Sequence, residues 1–531
     1  CVVGGLSKGS GVGGRSQGFS GRRTDPAQKR RGSVDPSGAS GLLRNEVECP
    51  ALGGVFSNIA PGGRDELSRE QASAGGSCLT IPEVVSLSAM FRLLVALFLA
   101  SFVSAADLPS KPNIIWIMCD DLGYGDLGCF GQKSMATPRL DEMARQGMRF
   151  TDFYAGCTVC RPSRLSLWTG KHMGHTPISS NANYHFKPED ITVAELLKTA
   201  GYRTGGVGKW AMGGVGTSGF PLKNGFDFWM GYLDQGQAHN YYPTHLWLNE
   251  KKFPLAGNVI SNHPGARGRV ASQKVTWSHP IMTDQAFGFI RENREEPFLL
   301  HVHWTIPHAN NEGGRVHGDG MEVPNYGIYE KRDWKNTSKG QAAMVSWMDR
   351  DVGRLIDLLR ELKIDHRTLV VFTSDNGPHS EGGHKHEVFN ANGPLRGFKR
   401  DLYDGGIRVP AIAWWPGVVE PGTTCSEPLA FWDFLPTACE LAGAEVSHPV
   451  DGISFVNALR GRKQKSHEYL YWKFGSKEAV RAGKWKLVQN SPEKQPELYD
   501  LHHDQGEQRN LAEREGKVLQ RLQGYLAEAV K

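Results

Sequence analysis

The sequence carries little net charge and only one long apolar stretch. Its 61 lysines and arginines nearly balance 56 aspartates and glutamates, which gives a formal net charge of +5. Proteins that bind nucleic acid usually concentrate basic residues on one face, so this balance argues against nucleic acid as a partner. The apolar stretch, residues 93–103, is too short to cross a bilayer. The sequence therefore predicts no membrane span.

The chain up to residue 89 contains no methionine and no sustained helical or strand period. It is rich in glycine, serine and arginine, a composition that favours disorder. Residues 1–89 are predicted to be either a disordered extension or sequence translated from upstream of the true start. Met90 is followed by a basic residue, then by the apolar run and then by small residues. This is the order of a secretory signal, which we predict over residues 90–105. We therefore expect an exported protein, periplasmic or extracellular.

Cysteine is scarce after the predicted signal. An exported protein could pair some of its cysteines, and Cys425 with Cys439 is the pair we expect if a disulfide forms. A chain of this length buries enough apolar surface to fold without disulfides.

The pair Cys157 and Cys160 forms a C-x-x-C motif that has three interpretations. A zinc site would need a second cysteine or histidine pair at a matching spacing, and the sequence offers no convincing one. A redox pair would need a thioredoxin-like context, for which support is weak. The third interpretation is a single reactive Cys160, because Arg161 and Arg164 would stabilise a thiolate or an anionic substrate.

Strand-like and helix-like segments alternate along the chain. Residues 113–121 are an apolar run of the right length for a buried strand, and residues 298–305 and 369–377 are similar. Residues 191–200 and 341–363 have the apolar spacing of helices. This alternation predicts an α/β fold with a mostly parallel central sheet and helices on both faces.

The pattern changes after residue 465 to short strand-like pieces. They predict a smaller C-terminal antiparallel sheet with a closing helix near residues 517–530. We therefore expect a catalytic domain over residues 106–465 and a C-terminal subdomain over residues 466–531.

Acidic and amide side chains follow two of the predicted strands. Asp120 and Asp121 end the first strand, and Asp375 and Asn376 end a later one. The carboxyl ends of parallel strands meet at one edge of a sheet, where active sites of such folds lie. Carboxylate and amide oxygens suit Ca²⁺ or Mg²⁺. A lone Asp-Asp would be no more than a cap or turn, but two such clusters predict a metal site.

The segment CRPSR at residues 160–164, followed by LWTGK, resembles the signature of the formylglycine-dependent sulfatases. Further motifs resemble this family in the same order: DD at 120–121, GKW at 208–210, SDNG at 374–377, GFKRDLYDGGIRVP and the late PELYDL. The resemblance runs from about residue 113 to beyond residue 501. It is greatest to exported bacterial members of the arylsulfatase type, within the alkaline phosphatase superfamily.

The resemblance implies that Cys160 is oxidised to formylglycine (3-oxoalanine). A formylglycine-generating enzyme would be the partner that reads Cys160, Pro162 and Arg164. The hydrated aldehyde of such enzymes attacks sulfur and later expels sulfate as the aldehyde reforms. The implied reaction is hydrolysis of a sulfate ester, aryl or carbohydrate.

The resemblance also implies roles for the other motif residues. Asp120, Asp121, Asp375 and Asn376 would bind Ca²⁺, with Mg²⁺ as the alternative, and the modified Cys160 would be a further ligand. Arg164 would orient the formylglycine. Lys209 and Lys399 would bind sulfate oxygens. His308 would bind sulfate or protonate the leaving oxygen together with Lys399, while His301 and His303 would be core residues or lie behind the site.

One position departs from the family pattern. Members often have a histidine two residues after the motif lysine, and Ala211 stands there in this chain. That histidine takes the proton when sulfate is expelled, so the base for this step is in doubt. Candidates for a replacement are His239, His379, His384 and His386.

Two other functions stay open from the sequence. One is a phosphodiester or phosphonate monoester hydrolase of the same superfamily, and the other is an inactive relative that binds sulfated glycans. The substrate would be a sulfated small molecule or polysaccharide. The aromatic run at residues 240–247 would either stack on a sugar ring or pack in the core.

Overall fold

The computed structural model describes residues 108–531. The predicted upstream segment, residues 1–89, and the predicted signal, residues 90–105, lie outside this range. Among the described residues, no helix combines the length and the apolar character that a bilayer crossing needs.

Eighteen strands occur in the described chain. They are β1 (Asn113–Cys119), β2 (Met148–Phe150), β3 (Phe153–Tyr154), β4 (Arg203–Lys209), β5 (Phe228–Tyr232), β6 (His245–Leu248), β7 (Lys251–Pro254), β8 (Val259–Ile260), β9 (Ala271–Gln273), β10 (Phe298–His303), β11 (Thr368–Ser374), β12 (Ala411–Trp414), β13 (Thr423–Cys425), β14 (Leu429–Ala430), β15 (Leu470–Phe474), β16 (Lys477–Ala482), β17 (Trp485–Gln489) and β18 (Glu497–Asp500).

The α-helices connect these strands in a largely alternating order. They are α1 (Pro138–Arg145), α2 (Cys160–Thr169), α3 (Val193–Thr199), α4 (Ser278–Glu292), α5 (Asn311–His317), α6 (Asn336–Glu361), α7 (Asp404–Ile407), α8 (Phe434–Ala442), α9 (Val456–Leu459) and α10 (Gly516–Glu528).

The main sheet has ten strands in the order β13-β2-β12-β11-β1-β10-β4-β5-β6-β7. Its centre, from β11 to β5, is parallel throughout. Strands β12, β6 and β7 pair antiparallel towards the edges. The predicted α/β fold with a mostly parallel sheet is confirmed.

Helices cover both faces of this sheet. Ile115 and Ile117 of β1 belong to one core, which α1, α4 and α6 complete. Ile114 and Trp116 face the opposite way and belong to a second core with α2, α3 and α8. This alternation explains why the central strands read as continuous apolar runs, since both of their faces are buried.

The described cysteines are all free thiols, so the expected Cys425–Cys439 pair is wrong. Cys425 ends β13, the edge strand of the sheet, whereas Cys439 is buried in α8 within the second core. Packing, rather than a cross-link, fixes these two elements.

The C-terminal strands β15 to β18 form a separate antiparallel sheet, as the sequence predicts. The closing helix α10 packs on it through Leu522, which contacts the core around Val480 and Leu487. Trp472 in β15 donates from Nε1 to the Ala155 carbonyl oxygen at 2.9 Å. The small sheet is therefore anchored to the segment that follows β3.

A fully buried lysine joins the C-terminal sheet to α7. The ammonium of Lys486 lies 2.6 Å from Asp404 and 2.9 Å from Glu507, and none of the three side chains is exposed. Burial alone would raise the pKa of Asp404, but Lys486, Arg408 and Arg481 lower it to about 2. Burial raises the pKa of Glu507 to about 7. Lys486 thus contacts two carboxyl groups from different parts of the chain, and of the two only Asp404 has enough cations around it to stay ionised.

Replacing this lysine should destabilise the fold strongly. In Lys486→Met the buried Asp404 loses its closest partner, and breaking such a pair from one side typically costs about 3–5 kcal/mol. Urea unfolding of the variant measures the loss. The control is Lys484→Met, because Lys484 is 46% exposed in its pair with Asp500 and should cost about 1 kcal/mol or less. Equal losses in the two variants would contradict this assignment.

Candidate functional site

Two neighbouring strands deliver the acidic residues to one point. β1 and β11 are parallel and in register, with Cys119 opposite Ser374, so the residues that follow them lie side by side. The backbone N–H of Asp121 donates to the Asp375 carboxylate at 3.1 Å. The Asn376 amide donates to the Asp121 carboxylate at 2.7 Å. The four residues predicted at the strand ends are therefore together, and all are buried.

Helix α2 places Cys160 against this cluster. Cys160 is the first residue of the helix, and its thiol lies 3.0 Å from the Asp120 carboxylate. Burial raises the pKa of Cys160 well above its usual value, and the carboxylates of Asp120 and Asp375 raise it further. The thiolate suggested by the sequence is therefore disfavoured here.

Arg161 and Arg164, which follow Cys160 in α2, have different hydrogen-bond partners. Arg164, one turn into α2, donates to the Asp375 carboxylate at 2.8 and 3.1 Å and to Asp120 at 3.2 Å. Arg161 points elsewhere, donating from Nε to the Ala211 carbonyl at 3.0 Å. Arg164 is thus part of the buried cluster, and Arg161 ties the start of the helix to the loop after β4.

Two lysines complete the charge pattern. Lys209, the last residue of β4, lies 2.6 Å from the Asp120 carboxylate. Lys399 lies 2.7 Å from the Asp121 carboxylate and 3.1 Å from Glu381. Both lysine side chains are almost fully buried. The site therefore holds three cations among its carboxylates, with no water layer between them to weaken the attraction.

The three strand-end carboxylates do not share these cations equally. Burial would raise the pKa of Asp120, but the charges of Lys209, Arg164 and Lys399 hold it well below its usual range. Burial and the nearby charge of Asp120 raise the pKa of Asp375 to about 7. The neighbouring cations thus balance the negative charge of Asp120, but they balance the negative charge of Asp375 only in part.

This imbalance and an unpaired oxygen fit a divalent cation. The Asn376 side-chain oxygen is buried and has no hydrogen-bond partner among residues 108–531. A buried polar atom of this kind usually has a partner, and a metal ion is one way to supply it. Ligand atoms of Asp120, Asp121, Cys160 and His308 also lie within 4.8 Å of one another. With the neighbouring oxygens of Asp375 and Asn376 included, oxygen donors outnumber the Cys160 sulfur and the His308 nitrogen, and hard cations prefer oxygen.

His308 lies beside Lys399, with both ring nitrogens engaged. Its Nδ1 is 2.6 Å from the Ala309 carbonyl oxygen, and its Nε2 is 3.2 Å from the Lys399 ammonium. A carbonyl can only accept, so Nδ1 carries the proton and Nε2 faces Lys399 with its lone pair. Burial and the charge of Lys399 lower the pKa of His308 to about 3, in agreement with a neutral ring.

Glu381 is a site residue that the sequence analysis missed. It contacts both Lys399 and Arg400. Despite its burial, the charges of Lys399 and Arg400 lower the pKa of Glu381, so it is ionised. Its position five residues after Asn376, inside the histidine-rich loop, was the available signal.

The histidines near the site divide into two groups. His301 and His303 are buried in β10 and pack on Trp168, and His303 also approaches Arg164 at 3.4 Å. They lie behind the site, which is one of the two positions expected from the sequence. His239 stacks on His308 with ring centres 4.6 Å apart.

The four candidate replacements for the histidine missing at Ala211 are unequally placed. His379 is 6.2 Å from His308 by ring centres and is hydrogen-bonded to the Pro307 carbonyl. His239 is the nearer of the two and is held by Glu312 at 3.0 Å. The other two pack away from the cluster, on phenylalanines outside it: His384 on Phe389 and His386 on Phe398.

The aromatic run after His239 also separates into two parts. Tyr241 is fully buried and donates its hydroxyl to the carbonyl oxygens of Thr305 and His308, so it packs and supports the His308 loop. Trp247, in β6, is partly exposed and lines a cavity that also touches Ala211.

Comparison with known proteins agrees with this geometry. A family profile described as Sulfatase matches residues 112–444, and a second, described as N-sulphoglucosamine sulphohydrolase, C-terminal, matches residues 397–531. Human arylsulfatase A is 32% identical over 454 residues, covering 75% of this chain and 83% of the relative. N-acetylgalactosamine-6-sulfatase of Canis lupus familiaris is 31% identical over 427 residues, covering 75% of each chain.

A solved structure has the same fold. The crystal structure of Ps i-CgsB in complex with k-i-k-neocarrahexaose superposes with a TM-score of 0.67 at 26% identity, covering 79% of this chain and 92% of that chain. The profile match spans more than half of the chain, and the acidic strand ends, the cysteine at the helix start and the buried lysines all lie within it. The chain belongs to the sulfatase family.

Proposed function

We propose that the protein hydrolyses sulfate esters, of carbohydrates or aryl alcohols, with a formylglycine formed from Cys160 and a divalent cation. The observation that carries this proposal is the position of Cys160. It lies at the start of α2, 3.0 Å from a buried carboxylate. Arg164, Lys209 and Lys399 surround the same carboxylate cluster. A buried group among several cations suits chemistry on an anionic substrate.

The cation would be held by the oxygens of Asp120, Asp121, Asp375 and Asn376, with residue 160 as a further ligand. Oxygen donors and the unpaired Asn376 oxygen favour Ca²⁺, with Mg²⁺ as the alternative. Bound there, the cation and the formylglycine would supply a nucleophile activated at neutral pH and able to release sulfate.

The residues of the chain would bind and orient the substrate. Lys209 and Lys399 each contact an aspartate that would also be a cation ligand. A divalent cation would take over the charge of these aspartates, which leaves both ammonium groups able to bind sulfate oxygens. Arg164, held by Asp375 in two hydrogen bonds, would keep residue 160 oriented.

Proton transfer to the leaving alcohol would occur on the His308 side of the site. Lys399 carries protons there, and His308 faces it through Nε2 at 3.2 Å. We assign the donor role to Lys399 together with His308, which orients the ammonium. Release of sulfate would need a proton acceptor in place of the histidine missing at Ala211. Two candidates lie beside the cluster: His239 stacks on His308, and a ring nitrogen of His379 lies within 4.8 Å of carboxylate oxygens of Asp121 and Glu381.

The biological setting follows from the same family. The signal-like segment at residues 90–105 supports export to a periplasmic or extracellular location, and a formylglycine-generating enzyme would be the partner that modifies Cys160. The two-part organisation, residues 106–465 and 466–531, would form one functional unit. One relative is named for N-acetylgalactosamine-6-sulfate and another was solved with k-i-k-neocarrahexaose, which supports a sulfated carbohydrate as the substrate.

Calcium should stabilise the protein through Asn376. A ligand at 100 times its Kd adds about 2.7 kcal/mol, which raises the Tm of a protein this size by about 3 °C. Replacing Asn376 by Leu removes the unpaired oxygen, so Asn376→Leu should lose this rise in differential scanning calorimetry. The control is Asn224→Leu, which removes another buried amide with two hydrogen bonds and should keep the calcium response. A calcium response that survives in Asn376→Leu would refute the assigned ligand.

Cys160 should be the residue on which activity depends. In protein made in a host with a formylglycine-generating enzyme, the Cys160 peptide should show the mass of formylglycine. Cys160→Ala should lower aryl sulfate turnover by about 10⁴-fold or more, as removal of a covalent nucleophile does in other hydrolases. Cys157→Ala is the control and should keep most of the activity. A wholly unmodified thiol would instead favour the inactive, glycan-binding relative.

Sulfate esters should be preferred over phosphodiesters. A phosphodiester or phosphonate monoester hydrolase could use the same residues, so the kcat/KM values for matched aryl sulfate, aryl phosphodiester and aryl phosphonate monoester substrates separate the functions. We expect the sulfate to be turned over fastest. Faster turnover of either phosphorus ester would overturn the assignment to sulfate.

A further inference from the structure

A cavity of about 540 Å³ lies between the C-terminal sheet and the segments that follow β2 and β13. Its volume is within the range of small-molecule sites. None of the residues assigned above to the sulfate or the cation lines it. We call it the junction cavity, and its charged and polar lining includes Asp152, Arg408, Glu427, Ser466, His467 and Arg481.

An aspartate between two arginines forms one wall of the junction cavity. Arg481 donates to one Asp152 oxygen at 2.6 Å, and Arg408 donates to the other at 3.1 Å. The side chains of Arg481 and Arg408 are only 8% and 4% exposed, so both charges are held inside the protein. Because two cations share the Asp152 carboxylate, this residue does not make the wall negative.

Arg481 has one nitrogen that the protein does not use. Its Nε donates to the Gly483 carbonyl oxygen at 3.0 Å, and its Nη1 donates to Asp152 and to the Tyr154 hydroxyl. Its Nη2 has no hydrogen-bond partner among residues 108–531, and it is not one of the unpartnered atoms that are sealed off from solvent. Since Arg481 lines the junction cavity, the N–H groups of Nη2 are available to a ligand there.

His467 offers a second nitrogen to the junction cavity. Its side chain is 8% exposed, and its Nε2 lies 2.7 Å from an Asp433 oxygen. Burial would lower the pKa of His467, but the carboxylates of Asp433 and Glu427 raise it, which favours the charged ring with a proton on each nitrogen. Within the described chain, Nδ1 has no hydrogen-bond partner and is not sealed off from solvent. It therefore adds a second donor to the cavity lining.

The ion-pair network behind this wall has an excess of cations. Arg408 and Lys486 both contact Asp404, and Lys486 also contacts Glu507. Burial raises the pKa of Glu507 to about 7, so this carboxyl group is partly protonated at neutral pH. Three cations, the two wall arginines and Lys486, thus face two aspartates and one partly protonated carboxyl group. An anion in the junction cavity would balance the remaining charge.

The rest of the lining favours a ligand that also has hydroxyl groups. Glu427 is partly exposed and forms no ion pair within the described chain, so its carboxylate can accept hydrogen bonds from a ligand. Ser426 and Ser466 are small and exposed at the same lining, which leaves the space beside Glu427 open. An inorganic ion would fill only a small part of the cavity and would offer no donor to Glu427.

We propose that the junction cavity is a second ligand site of this protein, which binds a small hydroxylated molecule with a carboxylate, sulfate or phosphate group. The anionic group binds Arg481 and His467, and hydroxyl groups bind Glu427. A bound ligand contacts β16 through Arg481 and the segment after β13 through Glu427, so it links the C-terminal sheet to the catalytic part of the chain. This site does not depend on the sulfatase chemistry proposed above.

Two variants of Ser466 test the site without removing a buried group. Ser466 is exposed and lines the cavity, so Ser466→Glu adds a negative charge there and Ser466→Gln adds a similar volume without charge. Titration calorimetry measures the binding of glucuronate, glucose 6-phosphate and glucose 6-sulfate. At least one of these probes should bind to the wild type and to Ser466→Gln. Ser466→Glu should weaken its binding about tenfold or more, because like charges repel.

Binding at the reactive cluster would be the same in the two Ser466 variants, so the difference between them reports on the junction cavity alone. Binding of none of the three probes, or equal binding by the two variants, would overturn the proposal. Inorganic sulfate has no hydroxyl group and should show a smaller difference between the variants than the sugar probe does. A larger difference for inorganic sulfate would overturn the assigned ligand class.

Arg481→Lys tests the unused nitrogen directly. A lysine keeps a positive charge for Asp152 but has no second terminal nitrogen for a ligand, so binding of the same probe should weaken about tenfold. Thermal unfolding shows whether the variant is folded, and the Ser466 variants decide the question if it is not. Undiminished binding by folded Arg481→Lys would contradict the assigned donor.

Turnover separates this site from the reactive centre. Because the junction cavity contains none of the assigned catalytic residues, Ser466→Glu should leave aryl sulfate turnover in the absence of the probe unchanged. A loss of turnover in Ser466→Glu but not in Ser466→Gln would show that the cavity belongs to the reactive centre, and the proposal of a second site would fail. The absence of sulfatase activity in the wild type would leave the binding results unaffected.

Discussion

The Asp120 carboxylate is buried and is contacted by Arg164 from α2, by Lys209 from β4 and by the Cys160 thiol. Two elements, α2 and β4, thus meet on a charged group that follows β1. Desolvating such a charge is expensive, and it is tolerated only when partners surround it in good geometry. The partners are in turn the groups a sulfate would need. The requirement to neutralise Asp120 therefore gathers the reactive residues, before any substrate is present.

The sequence allowed much of this centre to be predicted because parallel strands end at one edge. Asp120 and Asp375 follow apolar runs that both had to be buried strands, and the register of β1 and β11 then brings them together. Glu381 could not be predicted in the same way. Its contact with Lys399 depends on how two loops fold over the sheet edge, and loop paths are set by tertiary contacts rather than by periodicity.

The pairing of the edge strands also could not be predicted from the sequence. Strands β6 and β7 are short and pair antiparallel, and their alternation is too brief to give a clear pattern. Trp247 lies in β6 and lines a cavity. Tyr241, six residues earlier, is buried. Residue type alone left both outcomes open for this aromatic run. The same holds for the free thiols Cys425 and Cys439, because their short separation in sequence did not reveal that one ends an edge strand while the other lies in a buried helix.

The C-terminal sheet bears directly on the loop that carries Lys399. Lys486 of β17 forms an ion pair with Asp404 just beyond that loop. Lys477 of β16 donates to the Arg400 carbonyl at 2.9 Å. The small sheet thus holds the segment that carries Lys399 in position, although it contributes none of the assigned catalytic groups itself. A chain that ended before residue 466 would retain every assigned catalytic side chain and yet lose the support that sets the position of one of them. The boundary between the two sheets divides the architecture, but it does not divide the enzyme into independent parts.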